Sequence, residues 1–235
     1  MTVLLLRLAA PLQAWGVASR FARRETQQFP SKSGILGLIA AAQGRRRTDP
    51  IEEALQGLGF GVRVDQPGRL IRDFQVALSL DKKQSFPLSQ RYYLADAAFL
   101  AVIHGERELI IGIRDALRRP EFPLYLGRRS CPVAEPLVIG EPTEQQLADA
   151  LRGTEWQAAK WYRGRQPDRL RLPIYRDLLP GDPEGQLRER VRDMPLSFDP
   201  ERREYGWRTV VEDHVDIDNP LGRAGHSPMA ALGGE

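Results

Sequence analysis

Lysine, cysteine and histidine are all scarce in this chain. It has 235 residues, and among its 34 basic residues arginine outnumbers lysine 30 to 4. A single cysteine excludes an internal disulfide and fits a reducing cytoplasm. With three scattered histidines it offers little to a metal, and no metal or cofactor is expected. No stretch approaches the roughly 18 apolar residues of a membrane span. Val3 to Ala10 is apolar but short and lacks the basic leader of a signal peptide, so a cytoplasmic location without membrane contact is expected. A Walker-type phosphate loop is missing too. Gly57-Leu58-Gly59-Phe60-Gly61 is glycine-rich but runs into a strand instead of opening a helix.

Hydrophobic residues make up 42% of the chain, enough for a sizeable core. The net charge is only +3, so distribution says more than the total. Arginines gather at Arg23-Arg24, Arg45 to Arg47, Arg118-Arg119, Arg128-Arg129 and Arg202-Arg203. GC-rich codon usage accounts for the arginine excess as well as any function does, and charge runs are usually solvated faces.

Thr2 to Leu8 is nearly continuous Val and Leu, the pattern of a strand buried on both faces. Ser31 or Ser33 can cap a helix with apolar positions Ile35, Leu38, Ile39 and Ala42, closed by Gly44. Phe60, Val62 and Val64 alternate as a strand. Residues from about 70 to 95 fit a long hairpin projecting from the fold, with a polar tip at Asp81 to Ser85. Ala97 to Ile103 is a buried strand, Leu109 to Leu117 an amphipathic helix, and Pro136 to Ile139 a last strand. This order predicts an α+β fold: a ferredoxin-like (RRM-like) βαββαβ domain over 1–142 with the hairpin as a thumb. Thr143 can cap a short helix containing Leu147 and Leu151, and Arg169 to Tyr175 and Tyr205 to Val211 look like strands. A smaller, loop-rich β-containing domain is therefore expected over 143–218, with a mobile tail over 219–235.

Four regions carry candidate chemistry. Pro30-Ser31-Lys32-Ser33-Gly34 opens a helix, where free amide hydrogens and the positive dipole end can hold a phosphate with Lys32 as the charge; an ordinary N-cap is the plain alternative. Tyr125-Leu126-Gly127-Arg128-Arg129-Ser130-Cys131 offers a ring for stacking, a glycine for close backbone approach and two guanidinium forks suited to phosphate. The arginines are expected to point to opposite sides, one towards RNA and the other towards a carboxylate, and they can lower the Cys131 thiol pKa. Gln13, Trp15, Arg20, Arg23 and Arg24 follow the first strand: Gln can read a base edge, Trp can stack on a base or anchor the loop in the core, and the arginines can contact backbone phosphates. On the hairpin, Arg72, Phe74, Lys82, Lys83 and Arg91 fit either a basic wedge against nucleic acid or a contact with a neighbouring protein. Readout from the sheet face in the usual RRM manner is not expected, because Leu4 to Leu8 has no aromatic and Ala97 to Ile103 only Phe99.

Leu6 to Gly16, Phe29 to Leu38, Arg72-Asp73-Phe74 and Tyr125 to Pro132, in that order, resemble the CasD subunit family of the CRISPR type I-E Cascade complex, within the repeat-associated RNA-binding superfamily. The resemblance covers roughly the first 140 residues. It implies a non-catalytic subunit that binds and caps the 5′ handle of the crRNA. It also implies a thumb between guide RNA and target DNA, with the backbone subunit CasC and the large subunit CasA as neighbours. The enzymatic alternative is a metal-independent endoribonuclease that processes CRISPR repeat RNA, for which Tyr92, Lys82 and His104 supply candidate groups. A third reading is a pure protein-interaction subunit.

Overall fold

The computed structural model describes residues 1–16, 23–81 and 83–223, and of Arg23 only the backbone. In chain order the elements are β1 (Thr2–Ala9), β2 (Leu12–Gln13), β3 (Arg23–Arg24), α1 (Lys32–Ala42), α2 (Glu53–Gln56), β4 (Gly59–Gln66), β5 (Arg69–Gln75), β6 (Ser89–Ala95), β7 (Ala98–Gly105), α3 (Arg107–Arg118), β8 (Val138–Glu144), α4 (Leu147–Gly153), α5 (Lys160–Arg163), β9 (Arg169–Asp177), β10 (Arg188–Ser197) and β11 (Glu204–Asp218). The fold mixes α and β and is dominated by antiparallel sheet. Seven strands run in the order β10-β11-β9-β4-β7-β1-β8, with every neighbouring pair antiparallel.

Period-two alternation explains why β1 is buried on both sides. Leu4, Leu6 and Leu8 share a core with Ile35 and Ile39 of α1 and Ile110 and Ile113 of α3. Val3 joins Leu100 and Val102 against Leu147 and Leu151 of α4 on the other face. Helices thus cover both faces of the central strands. Phe99 belongs to the first of these cores and is fully buried, so this ring is closed to a base.

A smaller sheet carries the hairpin. β5 pairs with β6 along its whole length, while β2 and β3 share the opposite edge of β6. The β3–β6 pairing is parallel and places Arg24 beside Arg91.

The C-terminal half differs from expectation. β9 pairs directly with β4, so residues 143–218 extend the first sheet instead of building a separate sheet of their own. Nor is this half loop-rich, since β10 and β11 span 10 and 15 residues. Thr143 lies within β8 and caps nothing; Gln146 is the N-cap residue of α4. The chain just after β11 is anchored too. Asn219 is buried and its Nδ2 donates to the carbonyls of Arg163 and Pro167, at 2.8 and 2.9 Å. Of the expected tail, residues 224–235 lie outside the described residues.

Candidate nucleic-acid interface

The loop after α3 is held against the small sheet by its own backbone and by Arg128. Ala14 N donates to Leu126 O at 3.1 Å, and Leu126 N donates to Cys131 O at 2.7 Å. Arg128 Nη1 donates to Tyr92 O at 2.8 Å, and its Nη2 donates to Arg24 O and Glu25 O at 2.7 and 3.2 Å. The guanidinium also lies 4.8 Å from the centre of the Tyr93 ring. Arg128 therefore staples the loop to β3 and β6. Its partners are carbonyls and a ring, where a carboxylate was expected. Arg129, next in sequence, is exposed, as is Ser130, whose hydroxyl is 3.3 Å from Tyr93 Oη.

Around this staple the surface is cationic. Exposed Arg24 lies beside Arg91, and Arg91 lies opposite Asp73 on β5. Arg72 is opposite Tyr92 and sits over the half-exposed Phe74 ring at 4.8 Å. Arg24, Arg91 and Arg128 are thus brought together on the small sheet with Arg129 next on its flanking loop, while Arg72 and Phe74 lie on the opposite face of that sheet. Tyr125 is half-buried and lines an open groove of about 400 Å³ with Leu117, Leu124 and Val133. Lys83 is exposed at the hairpin tip. Arg20 and Lys82 lie outside the described residues, and so does the Arg23 side chain.

Several expected site residues are committed to the fold instead. Gln13 is fully buried: its Nε2 donates to Leu8 O and Ala97 O at 3.0 and 2.8 Å, and its Oε1 accepts from Trp15 Nε1 at 3.1 Å. With those bonds made it has no edge to offer a base. Trp15 is buried against Gly34, where an added Cβ would meet the ring at 2.9 Å, so it anchors the loop in the core. Gly127 has φ +93°, and a Cβ there would overlap the carbonyl oxygen of Ala14. The close approach this glycine permits is to the chain's own backbone.

The tip of α1 is also taken. Ser31 is the N-cap and accepts from Gly34 N at 3.2 Å, with the Ser33 hydroxyl 3.3 Å away. Lys32 N donates to Asp193 Oδ2 at 2.8 Å, which fills the anion position with a carboxylate from β10. Lys32 Nζ pairs with Asp177 at 2.9 Å, and Arg208 bridges Asp177 and Asp193 at 2.6 and 2.5 Å. Ser31, Lys32 and Ser33 are all buried. The N-cap of the plain alternative is present, but its lysine, expected to be exposed in that reading, is buried and neutralised by Asp177.

Tyr92 and His104, offered as ribonuclease groups, are far apart. His104 lies near the end of β7 remote from β6, about 20 Å along the strand from Ala98. Burial pushes the Cys131 thiol up despite the adjacent arginines, so the lowering they could have given does not prevail.

A family profile described as "CRISPR-associated protein (Cas_Cas5)" matches residues 3–211. The chain belongs to the Cas5 family. It is 34% identical over 157 residues to the CRISPR system Cascade subunit CasD of Escherichia coli (strain K12), a match covering 58% of this chain and 70% of that one. Among solved structures it resembles a chain of a CRISPR RNA-guided surveillance complex, with TM-score 0.70 and 30% identity over 98% of this chain and 97% of the other. A structure titled "Crystal structure of Cas protein" matches with TM-score 0.65 and 33% identity, covering 95% of this chain and 98% of that one.

Two residues of this Cas5 surface escaped the sequence reading. Arg69 is exposed at the base of β5, and Tyr93 forms the platform under Arg128. The Tyr92-Tyr93 pair carried a usable signal, because adjacent strand residues face opposite sides and one ring must point inward.

Proposed function

We propose that this Cas5 protein is a non-catalytic subunit of a type I-E Cascade complex that binds and caps the 5′ handle of the crRNA. Its core is read as ferredoxin-like, with β8-β1-β7-β4 as the four strands and α1 and α3 as the helices. The observation that carries the proposal is the division of labour between two adjacent arginines. Arg128 is spent on fixing the loop to the strands that carry Arg24 and Arg91, while Arg129, next in sequence, stands exposed. Arg129, Ser130, Arg24 and Tyr125 form the handle contact, and guanidinium forks there grip phosphates without reading sequence. The hairpin, with Arg72, Phe74, Lys83 and Arg91, reaches towards guide RNA and target DNA, next to the backbone subunit CasC and the large subunit CasA. Gln13, Trp15, Ser31, Lys32 and Ser33 support this surface from below, and the protein acts in the cytoplasm.

The test is reconstitution with the partner subunits and a CRISPR array, comparing wild type with Arg129→Glu. The variant should keep its Tm and retain at least tenfold less guide RNA carrying a constant 5′ segment. Equal retention would remove Arg129 from the handle site, and metal-independent cutting of repeat RNA by the purified chain would overturn the non-catalytic reading.

A further inference from the structure

The outer edge of the main sheet carries a second cationic strip, unconnected with the loop at 125–131. β10 is the free edge strand, and Arg188, Arg190 and Arg192 alternate along it, all exposed. At period two Arg188 and Arg190 share one face, about 6.7 Å apart along the strand, and Arg192 follows where the register against β11 shifts. Arg190 is opposite Thr209 and lies over the Trp207 ring at 5.3 Å; that ring is 56% exposed. Arg188 Nη2 donates to Pro183 O at 3.0 Å and Arg192 Nε to Tyr205 O at 3.0 Å, which orients both groups while leaving other N–H donors outward. Among the described residues none of the three pairs with a carboxylate. Asp182 feels the Arg188 charge, but both its oxygens are held by Arg176 at 2.7 and 2.8 Å. By contrast Arg107, Arg114, Arg118, Arg169 and Arg171, also on the surface, all have acidic partners. The turn after β10 adds exposed Arg203, while its neighbour Arg202 lies 4.0 Å from Glu204.

From this we infer that the β10 edge is a track for one extended single strand of nucleic acid, gripped by its phosphates without sequence preference. Spacing along a β-strand matches successive phosphates of an extended strand, and tethered guanidiniums lose little freedom on binding. The Arg190–Trp207 stack is a flat, half-open surface that a base can extend. An apolar protein partner would leave three guanidiniums desolvated and unpaired. Arg188, Arg190 and Arg192 lie on the edge of the main sheet, whereas Arg24, Arg91 and Arg129 lie on the small sheet and its flanking loop, so the two surfaces are built on different elements.

The full chain is titrated with labelled 12-nucleotide single strands of unrelated sequence, RNA in one arm and DNA in the other, over a salt series. Removing three phosphate contacts in Arg188→Ala/Arg190→Ala/Arg192→Ala should lower the log–log salt slope by about 2 and weaken binding at least tenfold. Trp207→Phe should abolish part of the tryptophan quenching seen on binding. The loss should persist in an Arg129→Glu background, which separates this track from the handle loop. If the triple variant melts early, Arg190→Gln with Trp207→Phe carries the same test. A difference between the RNA and DNA arms names the source of the strand. Unchanged slope and affinity in both arms overturn the inference, and so does loss of partner subunits with oligonucleotide binding intact.

Discussion

Gly127 separates two reasons for a glycine beside arginines: room for a ligand, or room for the chain itself. Its left-handed φ of +93° already disfavours a side chain, at a cost of about 1–3 kcal/mol. The Ala14 carbonyl removes the remaining space. Gly127→Ala should therefore lower Tm and displace the whole 125–131 loop, and with it Arg129. A variant with native Tm and native RNA retention would show that the loop position does not matter. At this scale the sequence disclosed residue types and not their company. Gln13, Lys32 and Arg128 read in sequence as polar groups beside an open surface, yet each is paired by atoms more than 30 positions away. Local chemistry cannot announce a distant carbonyl or carboxylate.

The elements legible in sequence were those whose burial follows a period. β1, α1, β4, β7 and α3 fell close to their expected spans, because apolar side chains repeat there every two or every three to four residues. β10 was missed. Its charged sequence, Arg188 to Asp193, lies on an edge, where charge is the usual guard against unwanted pairing. The alternation of β4 disclosed one apolar face but not its other one. There Arg63 and Asp65 are fully buried in a bidentate pair at 2.6 and 2.9 Å, and Arg63 also donates to Leu151 O, Thr154 O and Glu155 O. Asp65→Asn should destabilise by about 3–5 kcal/mol because it strands a buried cation, whereas Arg63→Met with Asp65→Leu should recover part of that loss. Urea unfolding of both variants checks it, and equal stabilities would discard the argument. Between β9 and β10 the Arg176–Asp182 pair pins the connecting loop. The Arg176 hydrogen bonds hold the Asp182 carboxyl below the usual carboxylate range. A depressed pKa contributes stability above the unfolded value, about 4, and loses it as pH falls through the folded one. Asp182→Asn should thus lower Tm at neutral pH, and its difference from wild type should shrink as pH drops below about 4. A constant difference across that range would show that the pair's charge is not what matters.

At the scale of the whole molecule, the expected division near residue 142 fails to mark any break in the main sheet, and this has a measurable consequence. β9 hydrogen-bonds to β4, Arg63 of β4 donates to carbonyls around the end of α4, and Lys32 at the head of α1 is neutralised by Asp177 and capped by Asp193. Each of these ties joins the two halves of the chain; if the halves part, Lys32 loses its carboxylate, and Arg63 keeps Asp65 but loses its three carbonyl partners. Separation therefore costs far more than an ordinary polar interdomain surface. The sequence hid this because β9 to β11 are mixed in polarity and the β4 partner of β9 lies over 100 residues upstream, beyond any local pattern. Calorimetry of the full chain should accordingly show one transition, with calorimetric and van't Hoff enthalpies in agreement. A fragment ending at residue 142 would bare the β4 edge, strand Arg63 without its carbonyls and leave Lys32 unpaired. It should aggregate or stay unfolded even with the hairpin and the 125–131 loop intact. Two resolved transitions, or a soluble and cooperatively melting 1–142 fragment, would restore the two-domain picture and make the β4–β9 junction a docking seam between parts that fold alone.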